Sequence, residues 1–115
     1  KAYGGAYIVM SSKHLRGDLN FAWPTAEIAV MGPEGAVRII YRKELSSSDN
    51  PQQLETSLIE QYRTELATPL VAASRGYLDA IIPPRETRVK IAAALEVLKE
   101  KRAPTPTRKH TNLPL

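Results

Sequence analysis

The stretch KAYGGAYIVM, residues 1–10, decides how the rest of the chain is read. Two adjacent glycines and an alanine, Gly4-Gly5-Ala6, stand directly ahead of the apolar run Tyr7-Ile8-Val9-Met10. Such a segment, extending to about His14, suits a buried strand or the start of a buried helix, and periodicity does not separate the two. The glycines carry the chemical content. With no side chain in the way, the main chain there admits close approach of a ligand. If Gly5 and Ala6 begin a helix, their N–H groups have no intrahelical acceptor and point outward. Reinforced by the helix dipole, such amides make an anion or oxyanion site. Simple tight packing accounts for the same triplet, and the residues alone leave both readings standing.

Outward from that stretch, RGDLNFAWPTAEIAVMG (residues 16–32) carries the β-formers Phe21, Trp23, Ile28 and Val30, interrupted by Pro24. A proline inside such a run breaks it, so a strand, a bend and a second short strand are expected. Pro33 and Glu34 suit the first turn of a helix, with Val37, Ile40 and Tyr41 on one face. SSSDNPQQ (residues 46–53) reads as a surface loop. A helix from about Gln52 to Ala67 sets Leu54, Leu58, Ile59, Tyr62 and Leu66 at helical spacing, and Pro69 is expected to end it. A short helical turn follows up to Ser74, with Gly76 at a left-handed cap. Tyr77 to Ile82 is a short β run closed by Pro83-Pro84. The last helix has Ile91, Leu95 and Leu98 as its apolar stripe. The proline-rich tail, residues 103–115, reads as extended. Without internal repeat or boundary, the 115 residues form one α+β unit.

Composition narrows the function classes. Hydrophobic residues are 43% and charged residues 24% of the chain, which is globular rather than disordered. No apolar run is long enough for a membrane span, and the start lacks the layout of a secretory signal. The absence of cysteine removes disulfides and thiolate chemistry and fits a cytoplasmic chain. The net charge of +4 invites a nucleic-acid reading, yet bases and acids alternate through most of the chain. Lys99, Lys101, Arg102, Arg108 and Lys109 give the tail its one basic bias, which reads as a solvated or subunit-packing segment.

The search for side-chain catalysis comes back nearly empty. His14 and His110 are the two histidines, and neither stands beside a carboxylate at catalytic or ligand spacing. Asp18, Glu27 and Asp79 read as caps or surface groups. Ser11-Ser12 has no nucleophile-elbow setting, and there is no cluster of metal ligands. What remains is the backbone of residues 4–6.

Four blocks then carry a resemblance: KAYGGAYIVM, AWPTAEIAVMGPEGA (residues 22–36), AASRGYLDAIIPPRETR (residues 72–88) and the terminal RKHTNLPL. In that order they resemble the C-terminal end of acyl-CoA carboxylase carboxyltransferase β subunits, of the propionyl-CoA carboxylase type. Transcarboxylase and methylmalonyl-CoA decarboxylase α subunits share the blocks. The resemblance implies an α/β fold of the crotonase-like ββα spiral type, with residues 1–115 as the C-terminal portion of the second carboxyltransferase domain. The chain is then a fragment, expected to be inactive alone and to self-associate or be poorly stable. The implied activity transfers CO₂ from carboxybiotin to the α-carbon of a short acyl-CoA, propionyl-CoA foremost. Biotin arrives on a biotin carboxyl carrier protein charged by a biotin carboxylase subunit, and the subunit forms a homo-oligomer, typically a hexamer. The implied compartment is the cytoplasm, or the mitochondrial matrix in a eukaryote. Carried over by motif, Gly4, Gly5 and Ala6 form the biotin site, with the Gly5 and Ala6 amides as donors to the ureido oxygen. Loss of one such donor typically costs about 3–4 kcal/mol of barrier.

Two departures stand out. Ile8 occupies a position that is acidic in some relatives, so it either helps to set acyl-chain preference or belongs to the core. The tail differs at Thr107 and Thr111. Three other readings stand beside the resemblance. One runs the same half-reaction in a decarboxylase or transcarboxylase. Another is a crotonase-fold hydratase or isomerase, which needs positioned glutamates that this chain does not offer. The third is a basic nucleic-acid-binding module, which needs exposed aromatics on a basic face.

Overall fold

The computed structural model describes residues 1–102; the tail expectation for residues 103–115 lies outside them. The chain opens on β1 (Ala2–Tyr3), which passes without a loop into helix α1 (Gly4–Val9). The glycine-led segment is therefore a helix start. Gly4 makes the join possible. Its φ is +58°, and a Cβ there would lie 3.3 Å from the Val30 carbonyl oxygen. Both conditions disfavour any side chain.

Strand β2 (Phe21–Ala22) and strand β3 (Ile28–Ala29) flank the bend at Pro24, as expected, where the Ala26 amide donates to the Trp23 carbonyl at 3.0 Å. Val30 falls outside the strand and is 87% exposed. Helix α2 (Pro33–Ile40) begins at Pro33 but buries Pro33, Ala36 and Val37, not Ile40. It stops at Tyr41, whose φ of −103° and ψ of 25° break the helical path, so Arg42–Ser47 forms a separate helix, α3. The expected common face of Val37, Ile40 and Tyr41 is lost at that break.

The polar patch at residues 46–53 is shorter than its composition suggests. Helix α4 (Pro51–Glu65) starts inside it, because the Asn50 side chain accepts from the Gln53 amide and Pro51 takes the first helical position. This is the usual cap-plus-proline start. Leu54, Leu58, Ile59 and Tyr62 are half-buried, whereas Leu66 is 49% exposed at the end of the helix. Pro69 opens helix α5 (Pro69–Ser74) and does not terminate α4. After α5 the Gly76 amide bonds to the Ala73 carbonyl and the Tyr77 amide to the Ala72 carbonyl, with Gly76 at φ +78°. That paired arrangement is a Schellman motif, and it satisfies two carbonyls at the helix end. Strand β4 (Ala80–Ile81) and helix α6 (Thr87–Leu98) complete the described chain.

Both strand pairs are parallel: β1 with β3, in the register Ala2–Ile28, and β2 with β4, in the register Phe21–Ala80. The turn between α4 and α5 supports this layer, since the Ala67 carbonyl accepts from the Ile28 amide at 2.8 Å. Ala22, Ile28 and Ala72 form the central cluster, with Tyr7 and Leu78 packed against it. Asp79 links the layers. Its carboxylate receives Lys13 Nζ at 2.8–2.9 Å and the Asn20 amide at 2.6 Å.

A tight loop joins α1 to the second strand pair. Ser11 and Arg16 both adopt left-handed φ values, 68° and 62°, and the Gly17 amide bonds back to the Ser12 carbonyl at 3.0 Å. A Cβ at Gly17 would sit 2.0 Å from the Ser11 carbonyl oxygen, which backbone movement alone relieves. Gly17→Ala is expected to destabilise the protein by about 3 kcal/mol, in the upper part of the usual range. Denaturant unfolding of the variant checks this, and an unchanged midpoint would contradict the close approach.

The Asp79 clasp gives a second expectation. The hydrogen bond from Lys13, then that from the Asn20 amide, hold its carboxyl below the usual range. A group whose folded pKa is depressed stabilises the fold above its unfolded value, near pH 4, and loses that contribution as pH falls through the folded value. The stability gap between wild type and Asp79→Asn should therefore shrink as pH is lowered below about 4. Thermal unfolding at stepped pH measures it, and a gap independent of pH would refute the clasp.

Candidate functional site

Helix α1 presents one face to an open groove of about 1000 Å³. Ala6 and Tyr7 of the helix line it from this side, together with Tyr3 just before it and Met10 just after. Phe21, Ala22, Trp23, Ala26 and Ile28 form the floor from the strands. Opposite runs α6, whose stripe residues Ile91, Leu95 and Leu98 line the groove with Ala94. The stripe expected from the sequence is thus correctly placed, but it faces a groove and not a closed core: Ile91 is 47% and Leu95 66% exposed. Polar contacts hold α6 at both ends. Trp23 Nε1 donates to Thr87 Oγ1 at 2.9 Å, and Lys101 Nζ meets both Asp18 carboxylate oxygens at 2.6 Å.

At the start of α1, the residue before Gly4 is Tyr3, which is extended and offers no side-chain cap. Helix geometry leaves the Gly5 and Ala6 amides without acceptors one turn back. Among the described residues neither amide donates outside its helix. Both residues are exposed, and Ala6 reaches the groove. The two glycines differ in kind. Gly4 is required by its left-handed backbone. Gly5 has an ordinary φ, and a Cβ there would meet nothing within 4 Å. Ile8 is half-buried and is not among the groove-lining residues; its carbonyl accepts from Ser12 Oγ at 3.0 Å. Gly4, Gly5 and Ala6 are therefore contiguous at the mouth of the helix, with Ile8 set apart from them.

Behind α1, His14 stacks on Tyr77 with centroids 4.6 Å apart, and Tyr7 meets His14 edge-on at 6.0 Å. His14 is accounted for by this aromatic packing. No group of three or more metal-ligating side chains occurs among the described residues, and no described helix is long and apolar enough to cross a membrane.

Glu27, whose sequence context suggests a cap or surface group, is instead a hub of charged groups. The Tyr3 hydroxyl donates to its carboxylate, Lys1 Nζ lies 3.7 Å away and Arg63 Nε 3.8 Å. Arg63 also reaches Glu34 in the first turn of α2, at 2.7 Å. The hydrogen bond from Tyr3 lowers the Glu27 pKa despite partial desolvation. Burial, then the bond to Glu27, pushes the Tyr3 hydroxyl up to about 12. The signal was present in the sequence: an acid between Ala26 and Ile28, inside a β run, needs a partner wherever it is drawn from water.

Comparison with known proteins now bears on this arrangement. The carboxyl transferase domain family matches residues 1–113. The carboxyltransferase subunit of propionyl-CoA carboxylase from Haloferax mediterranei is 57% identical over 115 residues, all of this chain and 22% of that protein. The methylmalonyl-CoA decarboxylase α subunit of Propionigenium modestum is 49% identical over the whole chain, again 22% of its length. A crystal structure of transcarboxylase 12S, described as a hexamer with methylmalonyl-coenzyme A and methylmalonic acid bound, superposes with a TM-score of 0.84 at 48% identity, covering 99% of this chain and 22% of that one. The chain thus spans about a fifth of the length of these relatives. Two parallel strand pairs layered with helices and this likeness agree on an α/β fold of crotonase-like type, and the chain belongs to the carboxyl transferase domain family.

Proposed function

We propose that residues 1–115 are the C-terminal portion of the second domain of an acyl-CoA carboxyltransferase subunit. In it the Gly5 and Ala6 amides would hold the ureido oxygen of a carrier-borne biotin, with Gly4 setting their direction. The observation that carries this reading is Gly5. A glycine inside a helix costs about 1 kcal/mol relative to alanine. Here neither backbone conformation nor neighbouring atoms require it. A glycine kept where the fold does not need it suits close approach by a group from outside the chain.

When bound as carboxybiotin, the group supplies CO₂ and a nitrogen base. The chain's own part is electrostatic. Two amides at the positive end of α1 would face the oxygen on which negative charge grows, and fixed donors of this kind need no reorganisation during the reaction. No side-chain acid or base is assigned among residues 4–8. The expected substrate is a short acyl-CoA, propionyl-CoA foremost, with a biotin carboxyl carrier protein, a biotin carboxylase subunit and further copies of the subunit as partners. The likeness to a methylmalonyl-CoA decarboxylase α subunit supports a second reading, in which the same half-reaction runs towards loss of CO₂.

In a full-length subunit carrying this sequence, Gly5→Val should assemble normally, since open space surrounds the position. Valine keeps the N–H, but its side chain would stand where the incoming group must come close, and turnover should fall about a hundredfold or more, the scale of an oxyanion donor put out of reach. Full turnover in the folded variant would remove Gly5 from the site.

Ile8 is assigned to acyl-chain preference, acting from behind the groove-facing side of α1. Ile8→Asp would place a charge in a half-buried position, which demands a partner or water. The kcat/KM ratios among acetyl-, propionyl- and butyryl-CoA should then shift by about tenfold or more, the scale of one methylene in a pocket. An equal fall for all three thioesters would make Ile8 a packing residue only.

A further inference from the structure

Tyr3 is the last residue of β1 and immediately precedes the two-glycine start of α1. Three features fix it. Its strand pairs in parallel with β3, with Tyr3 opposite Ala29. Its ring lies over Gly32, where a Cβ would approach Tyr3 Cδ2 and Cε2 at 3.5 and 3.7 Å. Its hydroxyl donates to Glu27, which is flanked by Lys1 and Arg63, and Arg63 is itself held by Glu34. Gly32 precedes α2 as Tyr3 precedes α1. The two helix starts therefore meet through one phenol ring, at the carboxyl ends of two paired parallel strands.

Downstream, α1 is held from its far side, by Tyr7 against the central cluster and by Ser12 at the Ile8 carbonyl, while its first turn is held at Tyr3. Gly4 is a glycine at left-handed φ, a pivot without a side chain, and Gly5 has no side chain to pack. No side chain caps the N-terminal end of α1. The direction of the Gly5 and Ala6 amides thus depends on how Tyr3 is seated, one and two peptide units after the glycine pivot.

We propose that Tyr3 and Glu27 are positioning residues for the carboxyl-transfer step: the Tyr3 hydroxyl, anchored on the Glu27 carboxylate, aims the Gly5 and Ala6 amides. The inference rests on the assignment of those amides as donors. The anchor touches neither substrate nor the reacting atoms. It acts by removing the freedom that Gly4 would otherwise give to α1, and a misplacement on the order of 1 Å can cost about a hundredfold in rate.

The test uses the full-length enzyme with its carrier protein and measures kcat, acyl-CoA KM and melting temperature together. Tyr3→Phe keeps the ring over Gly32 and removes only the hydroxyl; Glu27→Gln keeps the shape and removes the charge. Each is expected to lower kcat about ten- to a hundredfold, with acyl-CoA KM within about twofold. The double variant should be no slower than either single one, because both break the same link. In a Gly5→Val background, Tyr3→Phe should cost nothing more. Full turnover in Tyr3→Phe, a loss of melting temperature with kcat intact, or a further loss of the original size in the Gly5→Val background would each overturn the proposal. If Gly5→Val itself keeps full turnover, the donor assignment has failed and the positioning role falls with it. If Gly5→Val is slow while Tyr3→Phe is normal, the donors stand and the anchor alone is wrong.

Discussion

The parallel pairing of Ala2–Tyr3 with Ile28–Ala29 is the constraint on which the functional end of this chain depends. Two-residue strands make few ladder bonds, and isolated strand pairs are marginal in water. Their register is held by additions from outside the ladder. The Ala67 carbonyl accepts the Ile28 amide from behind, and the Tyr3–Glu27 bond ties the strands through side chains. Glu27 and Arg63 carry the restraint on to α4 and, through Glu34, to α2. Surface ion pairs taken singly contribute little. A network that links four elements around a partly desolvated carboxylate does more to fix their relative placement than its individual distances suggest.

The sequence made legible what depends on local chemistry. Gly76 with its two backward bonds and the bend at Pro24 follow from residue type at the position where it acts, whereas Asn50 and Pro51, read as loop, open α4. The glycine-led segment could be read as strand or helix because its outcome is set at Gly4, whose positive φ and nearness to the Val30 carbonyl belong to the tertiary fold. The expectation that Pro69 ends α4 fails for a related reason: proline both stops one helix and starts the next, and here the Leu66–Thr68 turn leaves it the start of α5. The α2–α3 break at Tyr41 has no proline or glycine to announce it. The electrostatic hub around Glu27 joins residues 3, 27, 34 and 63, so its members are visible in the sequence while their meeting is a property of the tertiary fold.

The distribution of burial shows how sparsely the described chain supports itself. Its buried hydrophobic residues are seven, and four of them are alanines. The radius of gyration is 19.1 Å, against about 13 Å for a compact domain of 100 residues. Helix α6 contributes no buried residue and is held at its ends by a tryptophan–threonine hydrogen bond and a lysine–aspartate pair. Such contacts orient a helix without supplying the area-dependent stabilisation of a packed face. Val89 and Val97 on α6 and Ile39 and Ile40 on α2 remain open to water. Apolar surface of this kind is the sort that association covers.

The failed search for acids, bases and nucleophiles takes its meaning from that architecture. Side-chain catalysis leaves residue types that can be counted; catalysis by amides leaves only permissive backbone. At residues 4–6 permissiveness divides between two glycines with different reasons to be there. Gly4 satisfies the geometry of a strand running straight into a helix, a structural demand that any reader of the backbone would recover. Gly5 satisfies no demand within the chain. A residue that is costly where it stands and idle in its own fold is best explained by what approaches it. Under the proposed reading, Tyr3 and Glu27 lend that end of the fold its rigidity, and the approaching group would meet two amides already aimed.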